Sequence, residues 1–302
     1  MNKQELTAYI KQQALLLGFD ACGVAAADIL SDRQEPLQQW LDEGMNAEMG
    51  YMARNVDKRL DVRLLVPEAK SVVCLLMSYK REAEQGEGIP KIARYAYSND
   101  YHDIIREKLK ALLTLIQQQI PECEGRGFVD SAPVLERTWA IKAGLGWVGK
   151  NGTLISKDFG SYTFLAELIV NIELEYDTIF EKNLCGSCTK CMQACPTKAI
   201  TAPRVVDARK CISYQTIEHK GELNGSLYGW LFGCDICQQA CPWNIKAKTV
   251  NHVEFAPIEG ILSMSKSDWE NMDEATFNTA FKNSALKRTG FEGIKRNLKH
   301  LE

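Results

Sequence analysis

The chain has 302 residues, of which 45% are hydrophobic and 25% charged, and a formal net charge of -3 at neutral pH. That is enough apolar material to bury a sizeable core in two lobes, and the balance excludes a globally basic nucleic-acid binder. The longest apolar stretches, residues 71–79 and 162–172, are far shorter than a membrane span, and the N-terminus opens into a polar helical pattern with no secretory signal. A cytoplasmic protein is expected.

Leu6, Ile10, Leu15, Leu16 and Leu17 recur at helical spacing and predict a helix over residues 2–17, stopped by Gly18. Residues 21–26 read as a short strand. A second helix is predicted over 35–43, ended by Gly44, ahead of a cationic segment with Arg54, Lys58, Arg59 and Arg63. Residues 71–79, with the β-branched pair Val72 and Val73, read as a buried strand, and Cys74 within it as a small buried hydrophobe. Neither Cys74 nor Cys22 nor Cys123 makes a good nucleophile. Residues 93–102 (ARYAYSNDYH) are dense in aromatic and hydrogen-bonding groups; they either line a pocket or form a polar turn in which Asp100 enters the next helix. That helix, over 104–120, has the strongest pattern in the chain: Ile105, Leu109, Leu112, Leu113 and Ile116.

Asp130 follows Phe128 and Val129 and precedes Ser131, Ala132 and Pro133, at the mouth of a strand. Two readings fit. Burial there would raise its pKa until it donates a proton near neutrality, or it caps the helix after Pro133. Gly144, Gly146 and Gly149 spell G-x-G-x-x-G, and with Lys150 they mimic the front of a P-loop. A helical pattern precedes them where a strand is required, and Asn151 stands in place of the magnesium-binding hydroxyl, so neither nucleotide motif is expected to function. Glycines there still permit a bulky cofactor to approach the backbone. Strand-like 162–174 closes a mixed helix-and-sheet lobe near residue 180.

Beyond it the cysteines dominate. Cys185, Cys188, Cys191 and Cys195 followed by Pro196 reproduce C-x2-C-x2-C-x3-C-P, the spacing that wraps a 4Fe-4S cluster. Cys234, Cys237 and Cys241 before Pro242 give a second, incomplete run, which Cys211 can complete. Two-cluster ferredoxins exchange their last cysteine between clusters. One quartet should therefore be Cys185, Cys188, Cys191 and Cys241, and the other Cys195, Cys211, Cys234 and Cys237. Structural zinc also takes paired C-x2-C units but leaves the third Cys at x2 and both Cys-Pro steps unexplained. His219 is a lone histidine whose default is a structural role. Between residues 282 and 302 six Lys or Arg face two acids, a pattern that suits either a phosphate-facing tail or solvated helix faces.

Residues 129–137 (VDSAPVLER), 146–151 (GWVGKN), 185–200 (CGSCTKCMQACPTKAI), 211–221 (CISYQTIEHKG) and 233–244 (GCDICQQACPWN) together closely resemble the epoxyqueuosine reductase family. The resemblance implies an oxidoreductase of tRNA processing, the last step of queuosine biosynthesis, in which the epoxide oxygen at the wobble nucleoside leaves as water. It implies an α+β chain: an N-terminal mixed α/β cobalamin-binding lobe (1–178), a bacterial-type two-cluster ferredoxin-like lobe (179–255) and a short helical tail (256–302), working as a cytoplasmic monomer. Asp130 matches the family's proposed proton donor. Arg54, Tyr95, Asp130, Asn151, Leu154, Ser156, Ser213 and His219 are the implied cobalamin contacts, with no D-x-H-x-x-G string to offer a histidine below the metal. Lys220 and the basic tail would face the RNA, and an external electron donor would feed the clusters. Two departures stand out: longer members continue into a helical-repeat extension, and Ser98 occupies a position where glycine is expected before the Asp-Tyr-His triplet. The competing readings are a corrinoid reductive dehalogenase, against which the absence of a twin-arginine signal speaks, and a ferredoxin-type electron-transfer subunit.

Overall fold

In the computed structural model, which describes residues 1–223 and 225–301, helix α1 (Lys3–Leu16) is started by an Asn2 capping box with Glu5 and buries Leu6, Ile10 and Ala14. Residue 302 of the expected tail lies outside the described residues. Helix α2 (Ser31–Asp42) follows strand β1 (Ala21–Ala26). Strand β2 (Ser71–Ser78) comes next, then α3 (Tyr101–Gln119), β3 (Gly125–Phe128), α4 (Glu136–Lys142) and β4 (Thr163–Val170). The four strands form one antiparallel sheet in the order β1-β2-β4-β3.

Every residue of β2 is buried, because both faces of the sheet are covered. On one face α1 and α3 pack Ile10, Ile105, Leu109 and Leu112 against Val73, Leu75 and Leu168. On the other, α4 drives Trp139 against Val72, Cys74, Phe128 and Ile169. Each fully buried aliphatic side chain of α3 contributes about 1.5–3 kcal/mol of transfer free energy, which fixes the helix on the sheet more firmly than its propensity would. Helix and strand approach so closely that a Cβ on Gly127 would lie 2.8 Å from that of Leu109. This packing sets the start of α3 beside the end of β3, and so brings residues 101 and 102 to residue 130.

The cysteine segment is built from short helices, Lys190–Ala194, α5 (Ile212–Ile217), Ile236–Gln239 and Pro242–Lys246. It is stitched to the first lobe by strand Trp230–Phe232, which pairs in parallel with Lys91–Ile92. The C-terminal segment has an apolar core of its own: Trp269, Phe277, Phe281, Leu286, Ile294 and Leu298 pack on Ile92, Tyr97, Leu231 and Phe232. Its final helix, α6 (Gly290–Leu298), ties two cations to internal carbonyls, and Arg288 just before it is paired as well. Arg296 donates to the carbonyls of His219, Gly221 and Gln215, Lys295 to those of Trp269 and Glu270, and Arg288 forms a two-pronged pair with Glu218. Only Lys282, Lys287 and Lys299 of the basic set stand exposed without these ties. Among the described residues no helix is long and apolar enough to cross a membrane.

Candidate active site and cysteine cradles

Asp130 sits two residues past β3 with φ 52°, in the left-handed region that Asp tolerates better than most side chains. Ser131 N–H donates back to the carbonyl of Val129 at 2.5 Å, so the chain turns sharply around Asp130 and thrusts its carboxylate outward, 62% exposed. Its own N–H donates to Glu136 Oε1 at 2.5 Å. Helix α4 starts at Glu136 after Leu135, with no side-chain cap, so the reading of Asp130 as a helix cap fails. Asp100 does cap α3, accepting from His102 N–H at 3.0 Å.

Two side chains meet this carboxylate directly. Tyr101 donates its hydroxyl to Asp130 Oδ2 at 2.8 Å, and His102 Nε2 stands 3.4 Å from the same oxygen. His102 Nδ1 lies 2.6 Å from Asp100 Oδ1. The Tyr101 ring is clamped between Phe164 at 4.0 Å and the His102 imidazole at 4.1 Å. Two carboxylates flanking one imidazole, against an opposing desolvation, push the His102 pKa up to about 9. The expected rise at Asp130 is overturned. The hydrogen bond from His102, together with that from Tyr101, holds Asp130 below the usual carboxylate range against the partial desolvation by its neighbours. At neutral pH the proton of this group resides on His102. Arg288, stacked over Tyr51 with its guanidinium 5.9 Å from the ring, adds a further positive charge facing Asp130.

Behind Asp130 lie two carboxyls that sequence reasoning missed. Burial, and next the Asp130 charge, push Glu136 up to about 8. Glu167 sits on β4 opposite Phe128 and Cys74, is 0% exposed, and has no hydrogen-bond partner on either oxygen. Burial pushes its pKa well above the carboxylate range. The signal was there: in TFLAELIV, strand alternation points this one acid the same way as Leu165 and Ile169.

The cysteines sort into two groups. Cys185, Cys188, Cys191 and Cys241 line one small cavity of about 50 Å³ with Lys150, Asn151, Ile155 and Trp243. Cys211, Cys195, Cys234 and Cys237 neighbour one another, and Cys237 also senses Cys191, so the two groups abut. Cys241 thus sits with the first run, as ligand exchange requires. Burial raises several of these thiols, Cys234 to about 12, so a buried thiolate here needs the positive charge of bound iron. Trp147 Nε1 donates to Cys185 Sγ at 3.5 Å and Ala199 N–H to Cys195 Sγ at 3.3 Å. Among the described residues no three Cys, His, Asp or Glu side chains converge on a single ion.

The remaining expected contacts are spread more widely. Asn151 is 6% exposed; its Oδ1 accepts from the Thr153 hydroxyl at 2.9 Å, while its buried Nδ2 has no acceptor. Leu154 is committed to a core with Leu76 and Ala140, and Ser156 exchanges backbone bonds with Gly160. Tyr95 is packed edge-on to Tyr101 and against Phe232. His219 has both ring nitrogens engaged, by Glu48 and by the carbonyl of Glu222, each at 3.0 Å. Ser213 is half-buried in α5 and Arg54 is exposed. Lys220 donates to the Arg288 carbonyl at 3.1 Å. Gly146 and Gly149 belong to a tight hairpin: their missing Cβ atoms would collide with Ile155, which explains the glycines without a nucleotide.

A family model described as "Epoxyqueuosine reductase QueG, DUF1730" matches residues 59–131, and one described as "4Fe-4S double cluster binding domain" matches 184–244. An epoxyqueuosine reductase of Cellulophaga algicola is 47% identical over 305 residues, covering 100% of this chain and 99% of the relative. The chain belongs to the epoxyqueuosine reductase family. A crystal structure of epoxyqueuosine reductase with a tRNA-Tyr epoxyqueuosine-modified stem loop superposes with a TM-score of 0.90 at 30% identity, covering 99% of this chain and 81% of that one. The Bacillus subtilis epoxyqueuosine reductase, solved with an aspartate catalytic loop swung out of its active site, gives 0.91 at 29% identity over 99% and 82%. A B12-dependent reductive dehalogenase, at 18% identity, a TM-score of 0.55 and 83% of this chain, shares the fold alone.

Proposed function

We propose that the chain reduces epoxyqueuosine at the wobble position of tRNA to queuosine, taking up two electrons and two protons and releasing the epoxide oxygen as water. The observation that carries this reading is the proton-bearing group that Asp100, Tyr101 and His102 at the start of α3 form with the exposed Asp130 turn, in a member of this family that also carries two cysteine quartets. Asp100 accepts from His102 Nδ1 and leaves Nε2–H aimed at Asp130, so the proton for the departing oxygen is held between them. Tyr101 fixes the carboxylate's orientation. The Asp130 turn presents that oxygen to a flipped-out nucleoside, which must leave the stack of the anticodon loop to reach it.

Cys185, Cys188, Cys191 and Cys241 would hold one 4Fe-4S cluster, and Cys195, Cys211, Cys234 and Cys237 the other. When bound, the clusters supply single electrons and cobalamin a strongly reducing cobalt. The unpartnered Nδ2 of Asn151 is a donor suited to the amide carbonyls of a corrin rim, and Tyr95, Arg54, Ser213, His219 and the backbone at Leu154 and Ser156 are the further proposed contacts. Lys220, with Lys282, Lys287 and Lys299, would meet RNA phosphates and make binding salt-sensitive. The chain would act as a cytoplasmic monomer fed by an external donor. Asp130→Asn tests the assignment: Asn accepts the same backbone conformation, so cofactor absorbance should persist while single-turnover reduction falls by about 10²–10⁴. An unchanged rate would refute the role.

A further inference from the structure

The cavity of the first cysteine quartet is lined and flanked by lysines in a chain that is acidic overall. Lys150 and Lys190 line it, and Lys150 Nζ donates to the Gly186 carbonyl at 2.8 Å. Trp147, bonded to Cys185, stacks on Phe180 at 5.6 Å and meets Trp243 edge-on at 4.9 Å. Lys157 Nζ lies over Phe180 at 5.5 Å. Lys248 lies over Phe159 at 5.7 Å, and its N–H donates to the Asp158 carbonyl. Ile245, 72% exposed, and Lys246 follow Trp243 in the helix Pro242–Lys246. With Lys182, the segments around this cavity carry six lysines against two acids, Asp158 and Glu181, in a chain whose net charge is -3. Asp158 is already paired with Lys248 at 3.3 Å.

We propose that this face docks an acidic single-electron carrier protein. The inference rests on the cluster assignment made above. Carboxylates of the carrier would seat over the lysine ring and its apolar rim would cover Ile245. Each docking would oxidise the carrier by one electron and reduce the Cys185 cluster by one; no bond forms or breaks, and two such events supply one turnover. RNA phosphates would also be drawn to lysines, but here the ring is centred on thiols and indoles instead of on the Asp130 carboxylate. Opposite charge at such a rim raises association rates by about 10–10³, an effect that salt erodes.

The test uses anaerobically reconstituted wild type and the double variant Lys157→Glu, Lys246→Glu, with flavodoxin as the probe. The expected result is that flavodoxin binding and the second-order rate of cluster bleaching by flavodoxin hydroquinone fall about tenfold or more at low salt, with a flatter salt dependence. Reduction by photoexcited deazaflavin, which needs no docking, should be unchanged, as should affinity for an anticodon stem loop. Equal flavodoxin rates in both proteins would overturn the proposal. Loss of stem-loop affinity with flavodoxin rates intact would instead assign the face to RNA. A wild type without iron-sulfur absorbance would sink the cluster assignment, while flavodoxin titration would still decide the docking.

Discussion

Glu167→Gln should flatten the pH dependence of stability. An unfolded glutamate ionises near pH 4.3. In the native state burial pushes Glu167 well above the carboxylate range, and neither oxygen has a partner. Glu167 therefore keeps in the folded chain a proton that it loses in the unfolded chain above about pH 4.3, and its contribution to stability falls as pH rises from there. The loss from this residue is about 1.36 kcal/mol for each pH unit over which it stays protonated while the unfolded glutamate is ionised. Glutamine keeps the shape and cannot ionise. The difference between variant and wild type should thus grow in the variant's favour by about 1.4 kcal/mol per pH unit above about pH 5, whatever offset the amide introduces. For a lobe of this size that is about 3–6 °C in melting midpoint per pH unit, measured on the anaerobic holoprotein at matched ionic strength. Parallel midpoint curves would show that Glu167 is not held neutral.

His102, raised to about 9, keeps its stabilising charge pair below the ordinary histidine range and loses it as pH climbs through about 9. Single-turnover reduction should decline on that alkaline limb. His102→Gln should move the limb down toward the carboxylate range, because Asp130 must then hold the proton itself; an unmoved limb would contradict the assignment. Cys241→Ala should perturb the cluster anchored by Cys185 and spare the other, read by electron paramagnetic resonance of the reduced protein; selective loss of the Cys234 signal would show that the ligands are not exchanged.

Much of the fold was readable because burial and periodicity agree. Strand β1 falls at residues 21–26 as expected, and β2 and β4 are the two apolar runs. Helix α3 begins at Tyr101, where the reading of Asp100 as the residue that enters it puts the start, three residues ahead of the apolar pattern at 104–120. Helix α2 begins at Ser31 instead of residue 35: Leu30 precedes it without a side-chain cap, so no start signal marks it. The grouping of Cys241 with Cys185, Cys188 and Cys191 was legible because the C-x2-C-x3-C-P spacing suggests that the last cysteine of a run faces away from its own run. The environment of Asp130 was not, since its two decisive partners lie 28 and 29 positions earlier and arrive only through the packing of α3 on β3. A local pattern could suggest burial, but not that an imidazole would reverse the sign of the shift.

The most direct test incubates the reconstituted protein, with cobalamin and a low-potential reductant, against tRNA carrying epoxyqueuosine, and follows the digested nucleosides by mass spectrometry. Conversion to a nucleoside lighter by one oxygen atom, lost in Asp130→Asn, is the predicted result. Intact epoxyqueuosine after anaerobic incubation of a protein with both clusters and corrin bound would contradict the account.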